Sequence, residues 1–137
     1  MWFRAIFKVF TAVIWLFILA ALLFIAGIVW SYYFEVSAVR EPFISSEWIK
    51  QENPYSESGD PGCVRGGMAL DLIKNNLIIN RNTEEVIALL GQPSSPSKIN
   101  FSYELGQCSG LGWESSVLVI EFKNNLVTQL NIVRNVP

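Results

Sequence analysis

The chain has 137 residues, of which 51% are hydrophobic, and its ten Lys and Arg nearly balance twelve Asp and Glu. This balance excludes a basic surface for nucleic acid, and the absence of His removes the commonest general base and metal ligand. About 100 residues follow the apolar N-terminus, which is enough for one small domain.

The most prominent feature is an uncharged run from Val9 to Phe34. As a helix it would be about 39 Å long, which exceeds the ~30 Å hydrocarbon core of a bilayer. We therefore predict a transmembrane signal-anchor helix over residues 1–34, in contact with membrane lipid. Arg4 and Lys8 precede the run, so the positive-inside rule predicts a cytoplasmic N-terminus. The expected location is a bacterial inner membrane, with a single pass and the C-terminal domain in the periplasm.

A cleaved signal peptide is the alternative interpretation, because Val36, Ser37 and Ala38 are small enough to precede a cleavage site. The apolar run is nearly twice as long as the usual hydrophobic region of a signal peptide and ends in bulky aromatic residues, which favours an uncleaved anchor. No Cys lies in or just after the run, which argues against lipoprotein processing.

Residues 35–62 are predicted to be a juxtamembrane connector, because three Pro residues interrupt any long helix. Ile44 and Trp48 are too apolar for a free linker, and the acidic surroundings would be repelled by anionic lipid. We expect the turn that carries them to dock on the domain, and Trp48 is also a candidate contact for a partner protein.

The domain is predicted to begin at Cys63, and its first half has two helix patterns. Apolar residues at positions 68, 69, 72, 73 and 77 have helical spacing. The second helix has Asn82 or Thr83 as its cap and two Glu residues in its first turn, and Gly91 ends it.

Three strands follow, at Ile99–Leu105, Val117–Lys123 and Leu126–Val133, the first with strict apolar–polar alternation. Asn124 and Asn125 tolerate positive φ and predict a tight hairpin. On the last strand, Leu126, Leu130 and Ile132 are expected on one face. The predicted fold class is α+β, with two helices packed on a three-stranded antiparallel sheet in the order ααβββ.

Three segments, TEEVIALLGQP (83–93), SYELG (102–106) and VIEFKNNLVTQL (119–130), resemble the BamE-like (SmpA/OmlA) domain family over residues 68–133. The resemblance implies an accessory, protein-binding role in the bacterial cell envelope. The best-known members act in outer-membrane β-barrel insertion from a lipidated N-terminus, which this chain replaces with an apolar helix.

Cys63 and Cys108 are the two cysteines of the chain. In an oxidising compartment, two Cys in one small domain most simply form a disulfide, and two free thiols are the alternative. Two Cys without His are too few for a closed zinc site, and a redox-active pair would need a C-x-x-C spacing. The disulfide would join the start of the first domain helix to a long loop between the first two strands.

That loop also contains Leu111 and Trp113, which we predict to contact a partner. The alternative is that Trp113 packs against the edge of the sheet. The Gly-rich segment 106–112 lacks the Lys and the strand-to-helix context of a phosphate-binding loop.

The sequence therefore favours a membrane-anchored protein-binding module with no catalytic residues, no cofactor and no small-molecule substrate, whose partner is another envelope protein. Alternatives are an immunity or inhibitor protein, a structural subunit of a membrane complex, and an enzyme that uses carboxylates or a thiol.

Overall fold

The computed structural model describes residues 2–55 and 61–134 of the chain. The chain divides into two compact units, Met1–Phe34 and Glu35–Pro137. The described part of the predicted connector therefore belongs to the second unit and packs with the domain.

The first unit is one helix, α1, from Trp2 to Phe34. Its segment Ile6–Phe34 has 29 residues and a mean hydropathy of 3.0, and the most apolar stretch of this segment is 0% buried. By length and composition, this helix fits a membrane span or a signal sequence. The hydroxyl of Thr11 donates to the carbonyl oxygens of Phe7 and Lys8, so this polar side chain is satisfied within the helix.

The second unit is a mixed α+β domain with three short helices followed by an antiparallel sheet. The helices are α2 (Ser45–Lys50), α3 (Gly66–Lys74) and α4 (Thr83–Leu90). The strands are β1 (Ser95–Pro96), β2 (Asn100–Ser109), β3 (Glu114–Lys123) and β4 (Leu126–Arg134), in the sheet order β1-β2-β3-β4.

The structure confirms the mixed α+β class but corrects the predicted element count. A fourth strand, β1, pairs with Phe101 and Ser102 of β2, and the short helix α2 lies in the predicted connector. Strand β1 has two exposed residues, one of them Pro, so no apolar alternation marks it. A Pro at a sheet edge is compatible with a strand because its missing N–H faces solvent.

The turn between β3 and β4 has the predicted form. Asn124 and Asn125 have φ values of 53° and 65°, as a two-residue hairpin of the primed type requires. The expected apolar face of β4 is wrong at its first residue, because Leu126 is 43% exposed whereas Val127 is fully buried. The register shifts between Glu121 and Phe122, leaving an extra residue in β4. Such a bulge reverses the alternation of faces.

A long loop was predicted between the strands that are now numbered β2 and β3, but the structure has a short hairpin turn there. Strand β2 continues to Ser109, β3 begins at Glu114, and a single 3₁₀ turn at Gly110–Gly112 joins them. Register shifts on either side of Gly106 interrupt the regular alternation of buried and exposed side chains along β2. This is why the strand ends were not predictable from periodicity.

The core lies between the helices and one face of the sheet. Its buried apolar side chains come from all three domain helices, from the segment between α3 and α4, and from β2, β3 and β4: Trp48, Met68, Ala69, Leu72, Ile78, Val86, Leu90, Phe101, Tyr103, Leu105, Cys108, Leu118, Ile120, Phe122, Val127 and Leu130. Leu77, placed on the buried stripe by helical spacing, is exposed, and Ile78 is buried instead. Helix α3 ends at Lys74, so the helical period no longer applies there.

Helix α4 has the predicted boundaries, and Asn82 is its cap. The Asn82 side chain accepts from the backbone N–H of Glu85, and the Glu85 carboxylate accepts from the backbone N–H of Asn82. This reciprocal pair satisfies two donors at the start of the helix. Gly91, with φ of 77°, ends it.

We predict that Asn82→Ala lowers the free energy of unfolding by about 1 kcal/mol, because it removes the cap acceptor. The measurement is urea unfolding of the detergent-solubilised chain. Asn82→Ser is the matched control, since its hydroxyl oxygen keeps an acceptor at this position and should retain most of the stability. Equal stability of the Ala and Ser variants would contradict the capping role.

Candidate functional site

Cys63 and Cys108 form the predicted disulfide, which joins residues 45 apart in sequence. Gly66, the first residue of α3, packs directly on the bridge, and a Cβ at this position would collide with the sulfur of Cys63. The backbone N–H of Ser37 donates to the carbonyl oxygen of Cys108 at 2.8 Å. The bridge and this hydrogen bond fix both the start of the second unit and the start of α3 to the far end of β2.

The structure brings Leu111 and Trp113 together at the turn between β2 and β3, residues Gly110–Trp113, which we name the hairpin tip. Leu111 is 48% exposed and Trp113 is 80% exposed. Trp113 therefore does not pack against the sheet edge, which was the alternative expectation. Leu111 has φ of 60°, a conformation that costs a non-glycine residue free energy and that the surrounding contacts must therefore maintain.

The base of the hairpin tip is cross-linked on both sides of the turn. The hydroxyl oxygens of Ser109 and Ser116 are 2.6 Å apart across the two strands, and Glu114 forms an ion pair with Arg134 of β4. Together with the disulfide at Cys108, these contacts give the exposed Trp113 a rigid support. A rigid support lowers the entropy lost when an exposed side chain is immobilised by a ligand.

Trp48 is not a contact surface, which corrects its assignment as a candidate partner-binding residue. Its side chain is fully buried, and its indole N–H donates to the carbonyl oxygen of Leu90 at 3.1 Å. Its ring packs edge-on against Phe43 and Tyr103. Helix α2 thus places Trp48 in the domain core, because burial there removes more of the apolar area of the ring from water than a surface position would.

Arg65 is a buried cation that the sequence did not indicate. Its guanidinium donates to the carbonyl oxygen of Trp48 at 2.7 and 3.0 Å and to that of Glu104 at 3.3 Å, and it lies 4.7 Å from the centre of the Trp48 ring. Burial lowers the pKa of Arg65 to about 10, partly opposed by the charge of Glu52. One Arg between Val64 and Gly66 has no sequence pattern that would reveal this role.

Tyr103 is buried beside Arg65 and is a structural hydrogen-bond donor. Its hydroxyl donates to the carbonyl oxygen of Gly91 at 3.1 Å. Burial raises the pKa of Tyr103 well above its ordinary value, although the nearby Arg65 opposes the shift. The phenol is therefore neutral at physiological pH and is not a general base.

The side of the sheet away from the helices carries two cross-strand rows, which we name the outer face. One row is Ser102, Val119 and Asn131, and the other is Glu104, Val117 and Val133. Val133 is exposed, the other five are partly exposed, and no helix of residues 35–55 or 61–134 belongs to this side, since the helix-facing residues of the strands are the buried ones. The alternation of residues in the sequence marks the apolar face of each strand and so did not indicate this surface.

The described residues contain no group of three or more Cys, Asp and Glu that could hold a metal ion. Both cysteines are joined to each other, so neither carries a thiolate. Glu85 is occupied by the cap of α4 and by an ion pair with Arg81 at 3.3 Å.

Comparison with protein-family models, with curated proteins and with solved structures finds no match to this chain. The resemblance to the BamE-like family stays a prediction from the quoted segments.

We predict that opening the disulfide lowers the free energy of unfolding by about 4 kcal/mol, because it releases a loop of 45 residues in the unfolded chain. The measurement is urea unfolding with and without reductant. The double variant Cys63→Ser, Cys108→Ser should match the reduced protein and be insensitive to reductant. An unchanged transition after complete reduction, verified by thiol titration, would contradict the prediction.

We predict that Arg65→Ala lowers the free energy of unfolding by about 3 kcal/mol, because it leaves buried carbonyl oxygens without donors. Lys50→Ala is the matched control, since Lys50 pairs with Glu47 on the exposed side of α2 and should change stability by about 0.5 kcal/mol or less. Both variants are compared by urea unfolding. A cost for Arg65→Ala no larger than that of the control would show that the guanidinium does not hold α2.

Proposed function

We propose that this chain is a single-pass inner-membrane protein of a bacterial envelope whose C-terminal domain is a non-catalytic, periplasmic protein-binding module. Helix α1 anchors it, and the outer face of the sheet binds the partner. The observation that carries the binding role is the outer face itself, where three valines lie in two neighbouring cross-strand rows with polar groups around them.

The proposed anchor is supported by the composition of α1. Three of its large apolar side chains, Trp15, Phe17 and Phe24, are each at least 69% exposed. Helical backbone satisfies its own hydrogen bonds, so lipid can solvate such a helix on all sides. Trp30, Tyr32 and Tyr33 near its C-terminal end are the residue types enriched at membrane–water interfaces.

The proposed periplasmic location is supported by the disulfide. Bridges between cysteines persist in oxidising compartments and are rare in the bacterial cytosol. A structural bridge in a domain of about 100 residues is what the periplasm favours. This agrees with Arg4 and Lys8 on the opposite side of the apolar run, which the positive-inside rule assigns to the cytoplasm.

The outer face has the anatomy of a small protein-binding patch. Val117 lies opposite Val133, and Val119 is the next residue on the same face of β3. Ser102, Glu104 and Asn131 surround the valines and can supply hydrogen bonds at a rim. Strand β4 is also the edge of the sheet, so a partner strand could extend the sheet beside this patch.

The absence of catalytic function is supported by the roles of the chemically able side chains. Cys63 and Cys108 are bonded to each other, Tyr103 is a neutral buried donor, and Arg65 binds main-chain carbonyls. Each of these groups makes a contact that stabilises the fold. The outer face combines three valines with polar side chains at its rim, which suits binding.

We predict that a photoreactive phenylalanine derivative at position 119 or 133 crosslinks one and the same envelope protein in intact cells. Position 84 is the control, because Glu84 is exposed on α4 and belongs to the helix side of the domain. Val119→Asp, combined with the crosslinker at 133, should reduce the adduct by about tenfold or more, since binding would bury an unpaired carboxylate.

A second arm separates this proposal from a structural subunit that acts through its helix. Replacing residues 9–34 with an unrelated membrane helix should leave the adduct unchanged. Loss of the adduct after this exchange, or equal crosslinking from position 84, would contradict binding by the outer face.

A further inference from the structure

We propose that the hairpin tip is a second membrane contact, in which Leu111 and Trp113 enter the interfacial layer of the bilayer that α1 spans. This inference rests on the proposed membrane span, and it assigns to lipid the two residues that the sequence alone suggested for a protein partner. It concerns a different surface from the outer face.

The chemistry of the hairpin tip suits the headgroup region of a bilayer. Gly110–Trp113 carries no charged side chain, and its two large side chains are exposed. An indole combines a large apolar ring with one N–H donor, so Trp prefers the boundary between hydrocarbon and water. Val39, which is 84% exposed, is a further apolar side chain two residues from Ser37.

The covalent chain limits how far this region can be from the end of α1. The backbone N–H of Ser37 donates to Cys108, and a Cβ on Gly112 would lie 3.8 Å from the Cβ of Ser37. Ser37 follows Phe34 by only three residues, which span at most about 11 Å when fully extended. Each interfacial layer is itself roughly 5–8 Å thick. The hairpin tip is therefore tethered within reach of the headgroups.

The same tether disfavours a folded protein as the ligand of this tip. A standard protein interface covers about 800 Å² on each partner, and the attachment of this region through Ser37, at most about 11 Å from the last residue of α1, leaves little room for one beside the membrane. Lipid fills that space without any further partner. The attraction is apolar, so it does not depend on cationic side chains or on anionic lipid.

The hairpin tip is also shaped in advance for insertion. Leu111 is held in the left-handed region between Gly110 and Gly112, and the disulfide and the Ser109–Ser116 hydrogen bond fix the strands below it. Side chains on such a support lose little additional entropy when the interface immobilises them.

The test is fluorescence quenching by brominated phosphatidylcholine with the full chain reconstituted in vesicles. A tip reporter carries Trp2→Phe, Trp15→Phe and Trp30→Phe, which leaves Trp113 and the buried Trp48. A span reporter carries Trp2→Phe, Trp15→Phe and Trp113→Phe, which leaves Trp30 and Trp48. A variant with all four replaced gives the Trp48 background.

We expect bromine near the headgroups to quench most of the Trp113 emission in the tip reporter, and to quench Trp30 in the span reporter. Salt should leave the quenching unchanged, and no second protein is present to explain it. Quenching of Trp30 but not of Trp113 would overturn the tip proposal and leave the membrane span intact. If Trp30 is also unquenched, the span fails and the tip proposal fails with it.

Discussion

The contact on which the domain depends is that between the guanidinium of Arg65 and the carbonyl oxygen of Trp48. It joins the start of α3 to the last turn of α2. The Trp48 side chain in turn contacts α4, through its hydrogen bond to Leu90, and β2, through the ring of Tyr103. Removing a cation from water is costly, and here main-chain dipoles and an indole face compensate it in place of a carboxylate. Burial lowers the pKa of Arg65, which is the direction expected for a cation that is partly removed from water. Helix α2 is thereby held against the domain.

This packing has a consequence for the proposed anchor. Val36 already packs against the core, and Ser37 is bonded to β2, so the domain begins almost immediately after the helix ends. If α1 spans a membrane as proposed, the domain is confined to the plane of that membrane, and this confinement raises its effective concentration toward partners there.

Sequence reasoning predicted the features that local chemistry determines. The cap at Asn82, the stop at Gly91 and the Asn124-Asn125 turn each depend on the conformational preference of one or two residues. The disulfide followed from the expected compartment. The bulge in β4, the edge strand β1 and the continuation of β2 past Gly106 were missed, because each depends on pairing with a distant strand. Buried Trp48 and Arg65 were missed as a pair for the same reason, since their contact exists only after the chain folds back.

The two proposed surfaces lie on different parts of one sheet, and this separation allows them to act together. The hairpin tip is at one end of β3, and the Asn124-Asn125 turn is about 33 Å away at the other end of that ten-residue strand. Neither proposed contact requires the domain to change shape, because the disulfide, the Ser109–Ser116 hydrogen bond and the buried Arg65 each hold elements of the domain together.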